Sequence, residues 1–452
     1  MSPGADMSTP AIPVPQPEGP LPGSSSRRRF LGRLAGGALA PAVLPAFPFP
    51  DGLAAASPPA PLPRGSTAVL ADEEYWKLVR AQFPLRPGLL YMNAANLCPS
   101  PFPVSDAVTM YTRDVDADPS FQNRAKFSAL QEAALESLAA WVGADADELV
   151  ITRNTSESNN VVANGLELGA GDEVVIWEQN HPTNNVAWDV RAERRGFTVQ
   201  RVTTPARPQS DDDLLQPFLA ALGPRTRVLA ITHISNASGV ALPAARLCAE
   251  ARGRGIFTLV DGAQSFGFLQ LDLHGLGCDA FTASAHKWFM GPREAGLLYV
   301  RRDIAADLWP SIVGIGWDGA RARGARRFST LGQRDDAALV AMGTAVGFHE
   351  RMGASVVERR VRDLAAALKR AITERIPDVH FVTPLAPGLS GGVVIFSVPG
   401  VPGREGYNTL YQRHSVAGAA SGSTGIRLCP HVYTTLQDID TAAAAIRSLR
   451  GA

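Results

Sequence analysis

"AFTASAHKWFMGP", residues 280–292, runs from an apolar strand-like stretch into a lysine. Lysine is scarce in this chain. Four (Lys77, Lys126, Lys287 and Lys369) stand against thirty-nine arginines. Three of them lie among charged neighbours in helix-like text, where arginine would serve as well. Lys287 instead closes an apolar run and precedes a glycine-proline turn. A guanidinium stays protonated and cannot attack a carbonyl, whereas a lysine amine can once burial or nearby cations lower its pKa. The stretch therefore points to an imine-forming lysine. A lysine snorkelling from a strand end fits these residues equally well.

Working outward, similar strand-like runs recur: "LVIT" (149–152), "EVVIW" (173–177), "RVLAITHI" (227–234), "IFTLVD" (256–261) and "GLLYV" (296–300). Between several of them lie runs with apolar residues at helical spacing, such as "NNVAWDVRAERRG" and "PAARLCAEARGRG", each ending near glycine. Alternating strands and helices predict an α/β fold with a mostly parallel sheet covered on both faces. Such sheets bind ligands beyond the carboxyl ends of their strands. Past residue 335, long Ala-rich helices lead into "GGVVIFSV" and a final helix from Asp438, which predicts a smaller α+β C-terminal domain. The expected organisation is an N-terminal segment (72–105) packing with the small domain, a large domain (106–334) and the small domain (335–452).

Polar residues collect at the predicted strand ends. After "LVIT" come Thr155 and Ser156, where a helix start offers free N–H groups and hydroxyls to a phosphate. Plain helix capping explains the same text. His181 follows "EVVIW" in a loop, where an imidazole can stack on a planar ligand or do nothing. Asn236 follows the next strand, in text that also reads as a turn. Asp261 ends a strongly apolar strand, and a carboxylate there is costly to bury without a cationic partner. Gln264 stands three residues on, and Ser284 and His286 lead into Lys287. One strand–connection–strand excursion separates Asp261 from Lys287, so both can face one pocket.

Composition narrows the classes. The chain has 452 residues, 45% of them hydrophobic, and a formal net charge of zero. Bulk charge therefore gives no reason to expect nucleic-acid or membrane-surface binding. Cys98, Cys248, Cys278 and Cys429 form no CxxC pair, so no metal site, redox motif or disulfide scaffold is expected. Residues 26–56 differ from the rest: "SRRRFLG", an apolar Ala-rich stretch, then "LAAAS". That order predicts a twin-arginine-like export signal over 1–56, cleaved after Ala56, with a Pro-rich linker over 57–71. Prolines and glycines in the apolar stretch argue against a stable membrane span. The expected location is periplasmic, with a basic tail on a cytoplasmic protein as the alternative.

A phosphate cradle, a stacking ring, a buried acid and a reactive amine are together what pyridoxal phosphate needs. The ordered motifs "RNTSES", "NHPTNN", "THISNASG", "VDGAQS" and "SAHKW" resemble the class V aminotransferase family of fold-type-I pyridoxal-phosphate enzymes, from about residue 89 to 440. This family includes cysteine desulfurases and isopenicillin N epimerase-like proteins. The resemblance implies that Lys287 carries the cofactor, Asp261 pairs with its ring nitrogen, and Gln264 hydrogen-bonds its phenolic oxygen. Asn236 would lie near that oxygen or the substrate carboxylate. His181 would stack on the ring and shuttle protons. Thr155, Ser156, Ser284 and His286 would hold the phosphate, and Arg427 would grip the carboxylate of an amino-acid substrate. A homodimer is implied too.

Two departures stand out. Gln333 replaces a threonine that in the family reaches the partner subunit's phosphate. No cysteine precedes Arg427 in "YQRHSVAGAASGSTGIRLC", which disfavours the desulfurases' persulfide route. The expected activity is epimerase-like or aminotransferase-like. A carbon–sulfur β-elimination lyase comes next, and a non-catalytic cofactor-binding relative is the reading of another class.

Overall fold

The computed structural model describes residues 61–386 and 388–451. The expected signal (1–56) and linker residues 57–60 lie outside the described residues. Helix α1 (Glu73–Ala81), strand β1 (Leu90–Tyr91) and helices α2 (Phe102–Ala117) and α3 (Lys126–Val142) lead into the sheet. The alternating region follows: β2 (Leu149–Thr152), α4 (Thr155–Gly165), β3 (Glu173–Trp177), α5 (Pro182–Arg195), β4 (Thr198–Val202), α6 (Asp211–Ala221), β5 (Thr226–Thr232), α7 (Ala244–Gly253), β6 (Phe257–Asp261), β7 (Ala280–Ser284) and β8 (Gly296–Val300). The seven strands β2–β8 form one sheet in the order β2-β8-β7-β6-β5-β3-β4. Only β8 runs against its neighbours. The carboxyl ends of β2, β3, β5, β6 and β7 therefore share one edge.

Period-two alternation sorts each strand's side chains between two cores. Val175 and Trp177 of β3 join Leu229, Val260 and Phe281 beneath Leu138, Leu214, Phe218 and Leu247. Val174 and Ile176 face the other way, toward Val162 of α4 and Trp188 of α5. A sheet buried on both faces explains why β7 and β8 read as unbroken apolar runs, since every residue in them is buried.

Beyond the sheet come α8 (Asp336–Met352), α9 (Ala354–Arg375), β9 (His380–Phe381), β10 (Val394–Ser397), α10 (Gly403–His414), β11 (Val416–Ala417), β12 (Ala419–Ser421), β13 (Gly425–Leu428) and α11 (Leu436–Ser448). Helix α8 packs on α2 and α3 and feeds Met342, Ala345 and Val346 into the core of the large sheet. A four-stranded antiparallel sheet, β12-β13-β10-β9, packs Phe396, Ile426 and Leu428 against Leu364, Leu368, Ile439 and Ile446 of α9 and α11. The final helix begins at Leu436, two residues before the expected Asp438. Thr435 caps it, and Asp438 is the third helical residue of a reciprocal capping box (Asp438 N to Thr435 Oγ1, 3.1 Å; Thr435 N to Asp438 Oδ2, 2.9 Å).

The segment before the large sheet ties to this second layer. Strand β1 pairs in parallel with β11. Arg360 meets Glu73 at 2.6 Å, and Arg80 reaches Asp438 at 3.0 Å. Among the described residues, no helix is long and apolar enough to cross a membrane.

Candidate active site

Register alone brings the strand-end residues into line. Asp261 pairs with Thr232 of β5 on one side and Thr282 of β7 on the other. Gly296 of β8 pairs with both Thr152 and Ser284. A Cβ at Gly296 would stand 2.6 Å from Ala283 O and 2.8 Å from Asn154 Cα. The missing side chain lets the start of α4 close onto the end of β7.

Asp261 is 1% exposed. A charge so buried needs hydrogen-bond donors. Its Oδ2 accepts from Asn159 Nδ2 (3.0 Å) and Asn184 Nδ2 (3.4 Å), and its Oδ1 accepts from Ala263 N (3.0 Å). The two amides are themselves fixed. Thr282 Oγ1 donates to Asn159 Oδ1 (2.7 Å), and Trp188 Nε1 donates to Asn184 Oδ1 (3.2 Å). The sequence reading missed Asn159, Asn184 and Thr282, whose text read as helix and strand interior.

Lys287 lies three residues past β7. Burial lowers its pKa, Arg427 adds to that, and Asp261 opposes both. The amine therefore gives up its proton more readily than a surface lysine. His181 caps the start of α5, its Nδ1 accepting from Thr183 N (3.2 Å). That bond leaves the neutral ring's proton on Nε2. Burial depresses the pKa of His181, as do Lys287 and Arg427, while Asp261 works against them. The four groups Lys287, His181, Asp261 and Arg427 thus share one electrostatic neighbourhood. His286 is pushed down to about 4 by burial, then by Lys287 and Arg293.

Arg427, on β13, donates Nη1 to Asn236 O and Nη2 to Asn93 Oδ1, both at 3.3 Å. Its Nε is buried without a partner among the described residues. Asn93 is a further residue that the sequence reading missed. Thr155 opens α4, and its N and Oγ1 meet Ser284 Oγ at 2.9 and 2.7 Å. Gln264 is held at both ends of its amide, with Nε2 donating to Ala95 O (2.9 Å) and Oε1 accepting from Trp288 Nε1 (2.8 Å).

Two candidates stand apart. Ser156 is exposed and lines an outer groove with Asn160, Ser311 and Ile312. Gln333 is exposed, accepts from Arg124 Nη2 (2.6 Å) and donates to Arg334 O (3.0 Å). It shares no hydrogen bond with the other candidates. Elsewhere, Asp145, Glu148 and His274 bring possible metal-ligand atoms within 4.8 Å of one another. They also form an ion-pair network: Glu148 Oε2 binds His274 Nε2 (2.6 Å), and Arg302 binds Asp145 (2.7 Å).

The residues present fit pyridoxal phosphate. The Asp261 carboxyl is buried and fixed by N–H donors at the sheet edge, the place for a partner to a ring nitrogen. Burial draws Lys287 toward the neutral form that a carbonyl requires. The orphaned Nε of Arg427 marks a guanidinium not yet fully engaged.

A sheet-edge acid and a reactive lysine on this fold define an enzyme that anchors a carbonyl-bearing cofactor. The chain belongs to the aminotransferase class-V family, whose model matches residues 90–440. Isopenicillin N epimerase of Streptomyces clavuligerus is 32% identical over 393 residues, covering 83% of this chain and 98% of the relative. A cysteine desulfurase of Pectobacterium atrosepticum is 29% identical over 410 residues, covering 82% and 97%. Among solved structures, the cystine C–S lyase C-DES, in complex with cysteine persulfide, aligns with a TM-score of 0.75 at 25% identity, covering 81% of this chain and all of its own. A mutant of C-DES carries glycine covalently linked to its PLP cofactor.

Proposed function

We propose that this chain moves the α-proton of an amino acid, with an epimerase-like or aminotransferase-like outcome. Its family and relatives make it a pyridoxal-phosphate-dependent enzyme of amino acids. The observation that carries the proposal is the pairing of a charge-averse lysine amine with a buried, thrice-bonded Asp261. When bound, the cofactor supplies an electron-accepting ring that acidifies the substrate's α-carbon. Asp261 holds a proton on the ring nitrogen. Arg427 grips the substrate carboxylate, with Asn93 and Asn236 O aiming its fork. Lys287 Nζ, once neutral, accepts the α-proton. His181 lies in the same neighbourhood, and its imidazolium form would be the second proton carrier that an epimerase requires for return on the opposite face. Thr155 and Ser284 would hold the phosphate.

A carbon–sulfur lyase is the second reading. The likeness to C-DES favours it. A persulfide route through a protein thiol is disfavoured, because all four cysteines are buried and burial pushes every thiol up, Cys248 to about 12. β-Elimination needs no such thiol.

The deciding experiment is proton NMR of the holoenzyme in deuterated water with a panel of L-amino acids and cysteine conjugates. Loss of the α-proton signal from an intact amino acid supports the proposal, and chiral analysis separates epimerase from stalled aminotransferase. Release of pyruvate with a thiol makes the protein a lyase. We also infer export through the twin-arginine route, supported by "SRRRFLG" and the "LAAAS" that follows. Detection of uncleaved protein in the cytosol alone would refute that. Homodimer formation is inferred as well, supported by apolar Trp309, Ile312, Val313 and Ile315 on the surface.

A further inference from the structure

The turn that presents Lys287 is gripped by two histidines with no other evident task. Buried carbonyls need partners, and each carbonyl from Ala285 to Phe289 has one. Ala285 O accepts from Gly291 N (2.8 Å), His286 O from Cys98 N (2.7 Å) and Lys287 O from Met290 N (2.9 Å). Side chains take the last two. His431 Nε2 lies 2.8 Å from Trp288 O, and His349 Nε2 lies 2.9 Å from Phe289 O. Both rings are fully buried, and they come from different elements. His349 stands near the end of α8, and His431 lies just after β13.

The tautomer of His431 follows from its other bond. Nδ1 accepts from Val432 N at 2.8 Å, so the proton sits on Nε2 and is donated to Trp288 O. The His349 ring stacks on Phe289, 5.0 Å away and 8° from parallel, and the His431 ring lies 5.3 Å from Trp288. Burial keeps both rings neutral, holding His349 near 4 and His431 near 3. A phenylalanine would fill either space but strand a buried carbonyl.

We propose that His431, seconded by His349, is a positioning residue that fixes the distance between the Lys287 amine and the Arg427 guanidinium. His431 follows Arg427 by four residues, and its acceptor Trp288 is the next residue after Lys287. One hydrogen bond thus ties the segment that carries the guanidinium to the turn that carries the amine. The turn requires outside support, because Met290 holds a left-handed backbone (φ 53°) without being glycine. Gln264 adds a second tie through Trp288 Nε1. The inference rests on Lys287 being the cofactor lysine.

The test uses the holoenzyme with His431→Phe and His431→Gln. Glutamine restores an N–H donor close to where the imidazole Nε2 stands. The first readout is the midpoint pH of the visible absorption band of the lysine-bound cofactor. The second is the α-proton exchange rate of the amino acid that the wild type exchanges fastest, and the third is the thermal midpoint. Displacing a catalytic group by about 1 Å can cost about a hundredfold in rate. Phenylalanine is expected to move the band midpoint by about half a pH unit or more and to slow exchange at least about tenfold, with glutamine recovering most of both. The inference is overturned if both variants lower only the thermal midpoint, leaving the band unmoved and exchange within about twofold of wild type. Should His431→Phe fail to fold, His349→Phe and His349→Gln test the neighbouring carbonyl with the same criteria. Failure of the lysine assignment itself looks different: Lys287→Ala would retain the wild-type band.

Discussion

Two loops of this molecule face opposite problems. The turn after β7 buries Trp288, Phe289 and Met290 and gives every carbonyl from Ala285 to Phe289 a partner. The stretch after β8 leaves Trp309 55%, Ile312 52%, Val313 57% and Ile315 fully exposed. Its backbone is anchored, with Trp309 N on Gly165 O, yet its apolar side chains lack cover within the described chain. Adjacent exposed apolar residues of this size mark interaction sites more often than chance. The first loop is complete within one chain. The second is what a homodimer, as inferred above, would cover.

Breaking the first loop's function should give the largest effect. Lys287→Ala is expected to abolish the covalent cofactor band and slow α-proton exchange by about 10³-fold or more, within the range of general-base losses. Absorbance and NMR exchange check both. Normal exchange in the variant would make Lys287 a structural lysine. Arg427→Lys comes next. It keeps the charge but loses the two-pronged geometry aimed by Asn93 and Asn236. KM for amino acids should rise by about 10–100-fold, with a smaller change in kcat. An unchanged KM would place the substrate carboxylate elsewhere.

The site was only partly legible in the sequence. β2, β3 and β8 match the expected runs residue for residue, because buried strands write their pattern directly. Asp261, Lys287, His181 and Arg427 were legible as polar residues at strand ends or within matching motifs. Asn159 and Asn184 were not. They lie on helices α4 and α5, and only the packing of both helices on the sheet brings them to one carboxylate. His349 and His431 were silent for the same reason, each bonding a carbonyl far away in sequence.

Those buried histidines set a pH limit on stability. Four of the eight histidines are held low, His233, His286 and His349 near 4 and His431 near 3, while His181 is lowered too but is exposed and counts for less. Burial is the leading cause in each. Below the unfolded value of 6.5, the unfolded chain binds protons that the folded chain refuses, so stability falls as pH falls. Each such group withdraws at most about 1.4 kcal/mol per pH unit. His274 beside Glu148 is raised and works the other way, but it is half exposed and counts for less. The thermal midpoint should therefore drop between pH 6.5 and 5.5, before most carboxylates titrate. A flat profile would mean that water reaches these rings.

The smallest effects belong to the second loop and sharpen the contrast. Ile315→Asp places a charge on a fully exposed side chain, so the folded chain should lose no more than about 0.5 kcal/mol. If a second copy covers this strip, the same change should split the dimer in sedimentation velocity, because a buried unpaired charge is costly. A variant that sediments like wild type would free the strip from the interface. Gln333→Ala reads the other half of the question. Among the described residues, Gln333 bonds Arg124, Arg334 and Asp336 at the surface, so its loss should leave a monomeric site untouched. A several-fold weaker hold on the cofactor in Gln333→Ala, absent from dissociated Ile315→Asp protein given the same second change, would mean that the amide works across the interface. Equal cofactor affinity in both backgrounds would confine Gln333 to its surface bonds and leave phosphate binding to Thr155, Ser284 and the start of α4.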